Sequence, residues 1–195
     1  MLEAGPRFDP GDRDERMARA LRPGRGAGAV WGGDETRDAY TTAGERFYPL
    51  NASRVKAVGG TSLHWQGMVM RLHEDDFATR SRHGVGRDWP ISYEDVRPYY
   101  AEAERALGVA ASDDDPFAPP RQEPTPMPGF PPSHSDEIFR EACDRLGIVM
   151  HGMPNARNSE SYDDDGPCVG YGTCRPVCAS GAKRSEEHTS ELQSP

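Results

Sequence analysis

A chain of 195 residues carrying a formal net charge of -9, with 35% hydrophobic residues, 21 glycines and 18 prolines, is polar and loop-rich for its length. The negative balance and the absence of a useful Lys/Arg cluster exclude non-specific nucleic-acid binding, and no run reaches the apolar length of a membrane span. Residues 1–5 also lack the basic and apolar regions of a signal peptide.

The first six residues, Met1 to Pro6, read as the end of a strand, an acidic residue at its carboxyl end, then a turn. In a dinucleotide-binding fold an acidic residue placed like Glu3 accepts hydrogen bonds from the adenosine ribose, about 20 residues after a glycine fingerprint. No fingerprint precedes Glu3. Three later look-alikes fail: the runs from Gly26 to Trp31 and from Gly84 to Trp89 put Trp where the third glycine belongs, and that from Gly170 to Arg175 puts Arg there. From Arg7 to Tyr48 the chain is charged and glycine-rich, with a short helix expected around Asp14 to Leu21 and no evident chemistry.

The run from Arg54 to Met70 is the organising stretch. Adjacent Gly59 and Gly60 let the backbone approach a ligand closely, and Thr61 and Ser62 suit the opening of a helix whose first amides lack internal partners. That is an anion cradle, or an ordinary turn beside a buried Trp. His64, Trp65 and Gln66 follow at once, placing an imidazole, a flat aromatic and an amide where an aromatic, phosphate-bearing cofactor would lie.

Next, Asp88 to Ile91 is extended because the residue before proline avoids the helical region. Ser92 and Asp95 form a capping signal, and Pro98 is expected at the first position of a restarted helix. Its core face would carry Tyr99, Tyr100, Ala103, Ala106 and Leu107, with Gly108 as the stop. Residues 111–132 hold many prolines and read as an extended surface connection. Ser133 and Asp136 cap a second helix, with Ile138, Phe139, Ala142, Cys143 and Leu146 on its buried side and Gly147 ending it, so Cys143 reads as a small core residue.

Cys168, Cys174 and Cys178 are separated by five and then three residues, amid Gly170, Gly172, Pro176 and Gly181. Thiolates bind iron or zinc if such a loop converges on one point. Zinc would need a fourth ligand, such as His151, and a disulfide would leave one thiol over. After Lys183 the character changes: Arg184 to Pro195 is polar and has no apolar stripe, and it resembles a translated sequencing adapter. The biological sequence is therefore expected to stop near Lys183, and His188 belongs to no site.

Several of these segments, in this order, resemble the glucose-methanol-choline (GMC) oxidoreductases: Arg54 to Met70, Gly86 to Asp95 with Pro98, Tyr99 and Tyr100, Met153 to Ser159, and Cys168 to Lys183. The likeness is strongest to the branch of FAD-dependent sugar and gluconate dehydrogenase catalytic subunits. It implies an α/β fold, an incomplete FAD-binding Rossmann-like domain with loop-rich insertions, whose first strand and C-terminal substrate domain are missing. The expected organisation is a partial FAD-binding domain at 1–110, a Pro-rich connection at 111–132, a helix with a Cys-rich cluster loop at 133–183, and an artefactual tail at 184–195.

The resemblance further implies FAD held by Glu3, Gly59, Gly60, Thr61, Ser62, His64, Trp65 and Gln66, and a [3Fe-4S] cluster on Cys168, Cys174 and Cys178. An intact enzyme of this kind oxidises a CH-OH group of a sugar, sugar acid or polyol by hydride transfer to flavin, its electrons leaving through the cluster. The family's catalytic His lies in the absent C-terminal part, so no catalytic residue is expected here and the fragment itself is expected to be inactive. The parent is expected with a small subunit and a cytochrome c subunit, periplasmic at the inner membrane or, alternatively, cytoplasmic. A non-catalytic zinc or metal-binding module is the other reading of the cysteines.

Overall fold

The computed structural model describes residues 5–22, 30–31, 43–46, 54–112 and 115–184. Glu3, most of the 184–195 tail and His188 lie outside the described residues. The chain forms two compact units, residues 1–67 with 168–195, and residues 68–167. Helices, 3-10 turns and a short strand pair make the architecture mixed, as an α/β reading expects. Among the described residues, no helix is long and apolar enough to cross a membrane.

In the first unit, α1 (Arg13–Ala20) opens with Asp14 and Glu15 near its positive end and closes with Arg19 near its negative end, which favours the helix locally. Its Arg16 is buried, with the guanidinium 5.3 Å from the Phe8 ring centre and 5.2 Å from that of Trp31. Flat, weakly hydrated arginine tolerates such paired cation–π contacts better than lysine would. Around it lies a core of Val30, Trp31, Ala57, Leu63 and Val177, flanked by Phe8, Ala20 and Val55. Gly5 fits only because it has no side chain: a Cβ there would stand 2.3 Å from the Lys56 carbonyl oxygen. The neighbouring Pro6 carbonyl accepts from Val58 N–H at 3.0 Å, so the entering chain is fastened to the glycine stretch.

The second unit contains α2 (Glu74–Phe77), α3 (Thr79–His83), α4 (Tyr93–Leu107), β1 (Ala110–Ala111), β2 (Met127–Pro128) and α5 (His134–Arg145). The strands pair in parallel, Ala110 opposite Met127. Asn155 extends this patch by exchanging backbone bonds of 2.9 Å in both directions with Ala110, and bridges Met68 on its other side. Met127 is consequently buried, so the 111–132 segment is not wholly the surface connection its prolines indicate.

The caps of α4 and α5 form as read: Ser92 and Asp95 make one capping box, Ser133 and Asp136 the other. Gly108 and Gly147 take the left-handed conformation at the two exits. Three expectations need correction. Pro98 does not restart a helix; it sits inside α4, which begins at Tyr93. The buried face of α4 carries Tyr93, Ala101 and Glu104, whereas Tyr99 and Ala103 are exposed. On α5 nothing is fully buried: Phe139 is 66% and Leu146 74% exposed, Ile138 and Ala142 are exposed, and Cys143 is half-buried.

The rotation of α4 has an electrostatic cause. Glu104 accepts from Arg71 Nε at 2.9 Å and Nη2 at 2.7 Å, and from Arg121 Nη1 at 2.7 Å. Arg71 also donates to the Tyr93 hydroxyl at 3.1 Å, which in turn donates to the Pro120 carbonyl at 2.8 Å. Burial pushes the Glu104 carboxyl up, but hydrogen bonds from Arg71 and Arg121, with their charges, outweigh it and hold the group below the ordinary carboxylate range. Burial likewise works against charge on Arg71, and its bonds to Glu104 and Tyr93 overcome it.

Because the folded carboxyl is the stronger acid, the stability it contributes is present above the unfolded value, about 4.3, and is lost as pH falls through the lower folded value. Replacing it uncharged leaves Arg71 buried without a counter-ion. Glu104→Gln is expected to destabilise this unit by about 3–5 kcal/mol and to flatten its acid sensitivity, measured by urea unfolding followed at Trp89 over a pH series.

Candidate functional site

The described site residues meet in the first unit. Val55 and Ala57 anchor the chain in the core, after which Gly59 and Gly60 turn it with φ of 91° and 53°, the left-handed region that penalises a side chain. A 3-10 turn follows at Gly60–His64. Its hydrogen bonding differs from the expected cradle. The Gly60 amide donates to the Ala57 carbonyl at 2.8 Å and the Ser62 amide to that of Gly59 at 3.2 Å. Ser62 does not cap the turn: its hydroxyl donates to the Gly59 carbonyl at 2.6 Å. Tight turning thus engages donors that an anion would otherwise use. Thr61 and Gln66 remain exposed, and Ser62 is half-buried.

His64 is buried, with 4% of its surface exposed, and neither ring nitrogen has a hydrogen-bond partner among the described residues. Burial, followed by the positive charges of Arg175 and Lys183, lowers its pKa from the usual 6.5, so the imidazole is neutral at physiological pH. A buried, unsatisfied polar ring costs roughly 1–3 kcal/mol, which a group bound against it would recover. Trp65, half-buried, is fixed by its Nε1 donating to the Arg184 carbonyl at 2.8 Å. Arg184 is itself buried, so the position placed at the start of the tail belongs to the packed unit.

The cysteine loop returns to the same unit through Lys183. This lysine is 1% exposed, and its ammonium donates to the carbonyls of Leu63 at 3.1 Å, Trp65 at 2.9 Å and Cys174 at 2.9 Å. One cation therefore bonds both sides of the 3-10 turn's exit and the middle of the cysteine loop. Val177 enters the core, and the preceding Pro176 carbonyl accepts from Trp31 Nε1 at 2.9 Å. The role of Lys183 was not read from the sequence. Its acceptors are backbone carbonyls, so no pattern of side chains marks it.

Cys168, Cys174 and Cys178 are half-buried, as is Cys143. Backbone amides already address two of the sulfurs: Gly170 N–H lies 3.4 Å from Cys168 Sγ and Lys183 N–H 3.4 Å from Cys178 Sγ. Amide donors of this kind stabilise thiolate and tune a metal bound to it. Among the described residues no three His, Cys, Asp or Glu side chains stand close enough to form a ready metal site. The donor set suits iron in its chemistry, while its assembly would require the loop to draw in. His151, the conceivable fourth zinc ligand, lies in the second unit and pairs with Asp115 at 3.0 Å.

No family model matches the chain. Among curated proteins, the fructose dehydrogenase large subunit of Gluconobacter japonicus is 41% identical over 130 residues, covering 66% of this chain and 24% of that protein. The gluconate 2-dehydrogenase flavoprotein of Pantoea cypripedii is 26% identical over 146 residues, 60% of this chain and 24% of the other. The 2-methyl-1,2-propanediol dehydrogenase of Mycolicibacterium austroafricanum is 35% identical over 100 residues, 50% of this chain and 18% of its own. The chain thus spans about a quarter of the length of the first two relatives, 24% in each case. The matched part is similar to proteins named as dehydrogenases and as a flavoprotein, which supports the resemblance to the GMC-type family.

His64 also sets a pH dependence. Its folded pKa lies below the unfolded value near 6.5, so between the two the unfolded chain binds the extra proton and stability falls as pH drops. The melting temperature of the first unit, followed by Trp fluorescence in a Trp89→Phe background, is expected to fall as pH is lowered from about 7.5 to 5.5. In His64→Phe that fall should be much reduced.

Proposed function

We propose that this chain is the flavin-side part of a dehydrogenase that oxidises a CH-OH group of a sugar, sugar acid or polyol, with FAD as hydride acceptor. The observation that carries the reading is His64: a buried, neutral imidazole whose nitrogens have no partner among the described residues, one 3-10 turn after a left-handed glycine pair. Supporting it are relatives whose names specify a flavoprotein and dehydrogenases of fructose, gluconate and a diol. FAD supplies a ring that takes up a hydride, chemistry no side chain offers. In this reading the surrounding fold is the Rossmann-like FAD domain of the family.

Each residue then has a bounded task. Gly59 and Gly60 let the backbone approach the cofactor's phosphates, with Thr61 and Ser62 beside them. His64 presents a neutral ring to the flavin side, Trp65 offers an apolar face held by Arg184, and Gln66 offers an amide at the surface. Glu3 would hold the ribose. A helix start contributes roughly 0.3–2 kcal/mol toward an anion, whereas micromolar affinity needs about 8 kcal/mol, so the turn by itself holds FAD weakly. None of the histidines is assigned as the catalytic base.

Cys168, Cys174 and Cys178 are the proposed ligands of a [3Fe-4S] cluster, which when bound supplies one-electron transfer. Lys183 supports this by bonding the Cys174 carbonyl and the two carbonyls around His64, holding loop and turn as one body. The words "large subunit" in one relative's name support an assembly with further subunits, in keeping with a small subunit and a cytochrome c subunit.

Anaerobic reconstitution of the chain with iron and sulfide tests the cluster directly. A broad visible absorption band and an electron paramagnetic resonance signal are expected, and each of Cys168→Ser, Cys174→Ser and Cys178→Ser should abolish them while Cys143→Ser leaves them intact. Colourless, stoichiometric zinc in place of iron would favour a structural metal module instead. FAD titration into the same preparation, followed by quenching of Trp65, reads the flavin side separately.

A further inference from the structure

The second unit holds a cavity of about 350 Å³ that the function proposed above does not use, lined in part by Arg71, Asp115, Phe117, Arg121, His151 and Met153. Its polar groups are fixed from behind. Asp115 Oδ1 accepts from Phe117 N–H at 2.9 Å and stands 3.0 Å from His151 Nδ1, and the Gly152 carbonyl lies 3.3 Å from the same nitrogen. Two acceptors on Nδ1 require that atom to carry the hydrogen, so in the neutral ring Nε2 is an acceptor. Arg121 commits only Nη1, at 2.7 Å from each oxygen of Glu104, and keeps Nε and Nη2 as donors.

The arginines at the cavity are already countered, because Arg71 and Arg121 both bond Glu104, and the carboxylate of Asp115 lies in the same lining. An anion would therefore gain little. Apolar surface accompanies these groups: Phe117 is 57% exposed, and its ring centre lies 5.6 Å from that of His151. Exposed aromatic and methionine surface beside fixed donors and acceptors suits a molecule with C–H faces and several hydroxyls, each of which donates and accepts.

We propose that this cavity binds a small neutral polyhydroxy molecule, a monosaccharide or acyclic polyol. Arg121 donates to one hydroxyl, Asp115 accepts from a neighbouring one, His151 bonds another through Nε2, and Phe117 covers a C–H face. The proposal rests on the sugar and polyol reading above for its ligand class alone; its residues belong to the other unit, so the two fail separately.

Saturation-transfer NMR on the 195-residue chain, run without flavin, tests it with D-fructose and D-glucitol as neutral probes and D-gluconate as an anionic one. Transfer to the neutral probes is expected, with no preference for gluconate. Phe117→Ala, which removes an already exposed ring, should weaken them about tenfold without moving the melting temperature, and Asp115→Asn should weaken them as well. Absence of transfer from the intact chain, unchanged affinity in Phe117→Ala, or binding of gluconate alone would each overturn the proposal.

Discussion

The first unit depends on one buried ammonium. Lys183 Nζ bonds three carbonyls from two segments far apart in the chain: Leu63 and Trp65 on either side of His64, and Cys174 in the cysteine loop. Hydrogen bonds to a charged donor are each worth about 1.5–3 kcal/mol, and a buried charge without them would be untenable. The contact therefore has to be complete to exist at all. It closes the region around His64 and fixes where the cysteine loop begins its last turn, so the two segments proposed to serve flavin and cluster share one support.

The second unit follows a related logic with the opposite charge. Glu104 is the buried anion, and Arg71, Arg121 and Tyr93 gather around it. A buried ion pair is weak evidence for net stability, because desolvation offsets much of its attraction. Its evident effect here is specificity: it selects which face of α4 turns inward and keeps Arg121 beside the cavity. In both units a desolvated charge determines how otherwise loop-rich chain is arranged.

Much of the local structure was legible in the sequence because its causes are local. The capping boxes at Ser92 and Ser133 and the glycine exits at Gly108 and Gly147 need only residues within one turn of each other. The buried faces were not legible. Helical spacing marks Tyr99 and Phe139 as apolar candidates, yet what α4 buries is set by Arg71, 33 residues before Glu104. The helices α2 and α3 were missed, being too short to show a periodicity. Of the proposed site, the glycine pair and His64 stand out by type and order, whereas Lys183 does not: its acceptors are backbone carbonyls, two of them 120 and 118 residues away, which leave no mark on the side-chain pattern.

Hydrogen exchange measured by mass spectrometry on the intact chain and on Lys183→Met tests the shared support most directly. If Lys183 joins the two segments, the amides of 59–66 and 173–178 lose protection together in the variant while those of 93–107 keep theirs. Loss in only one of the two segments, or in neither, would contradict it.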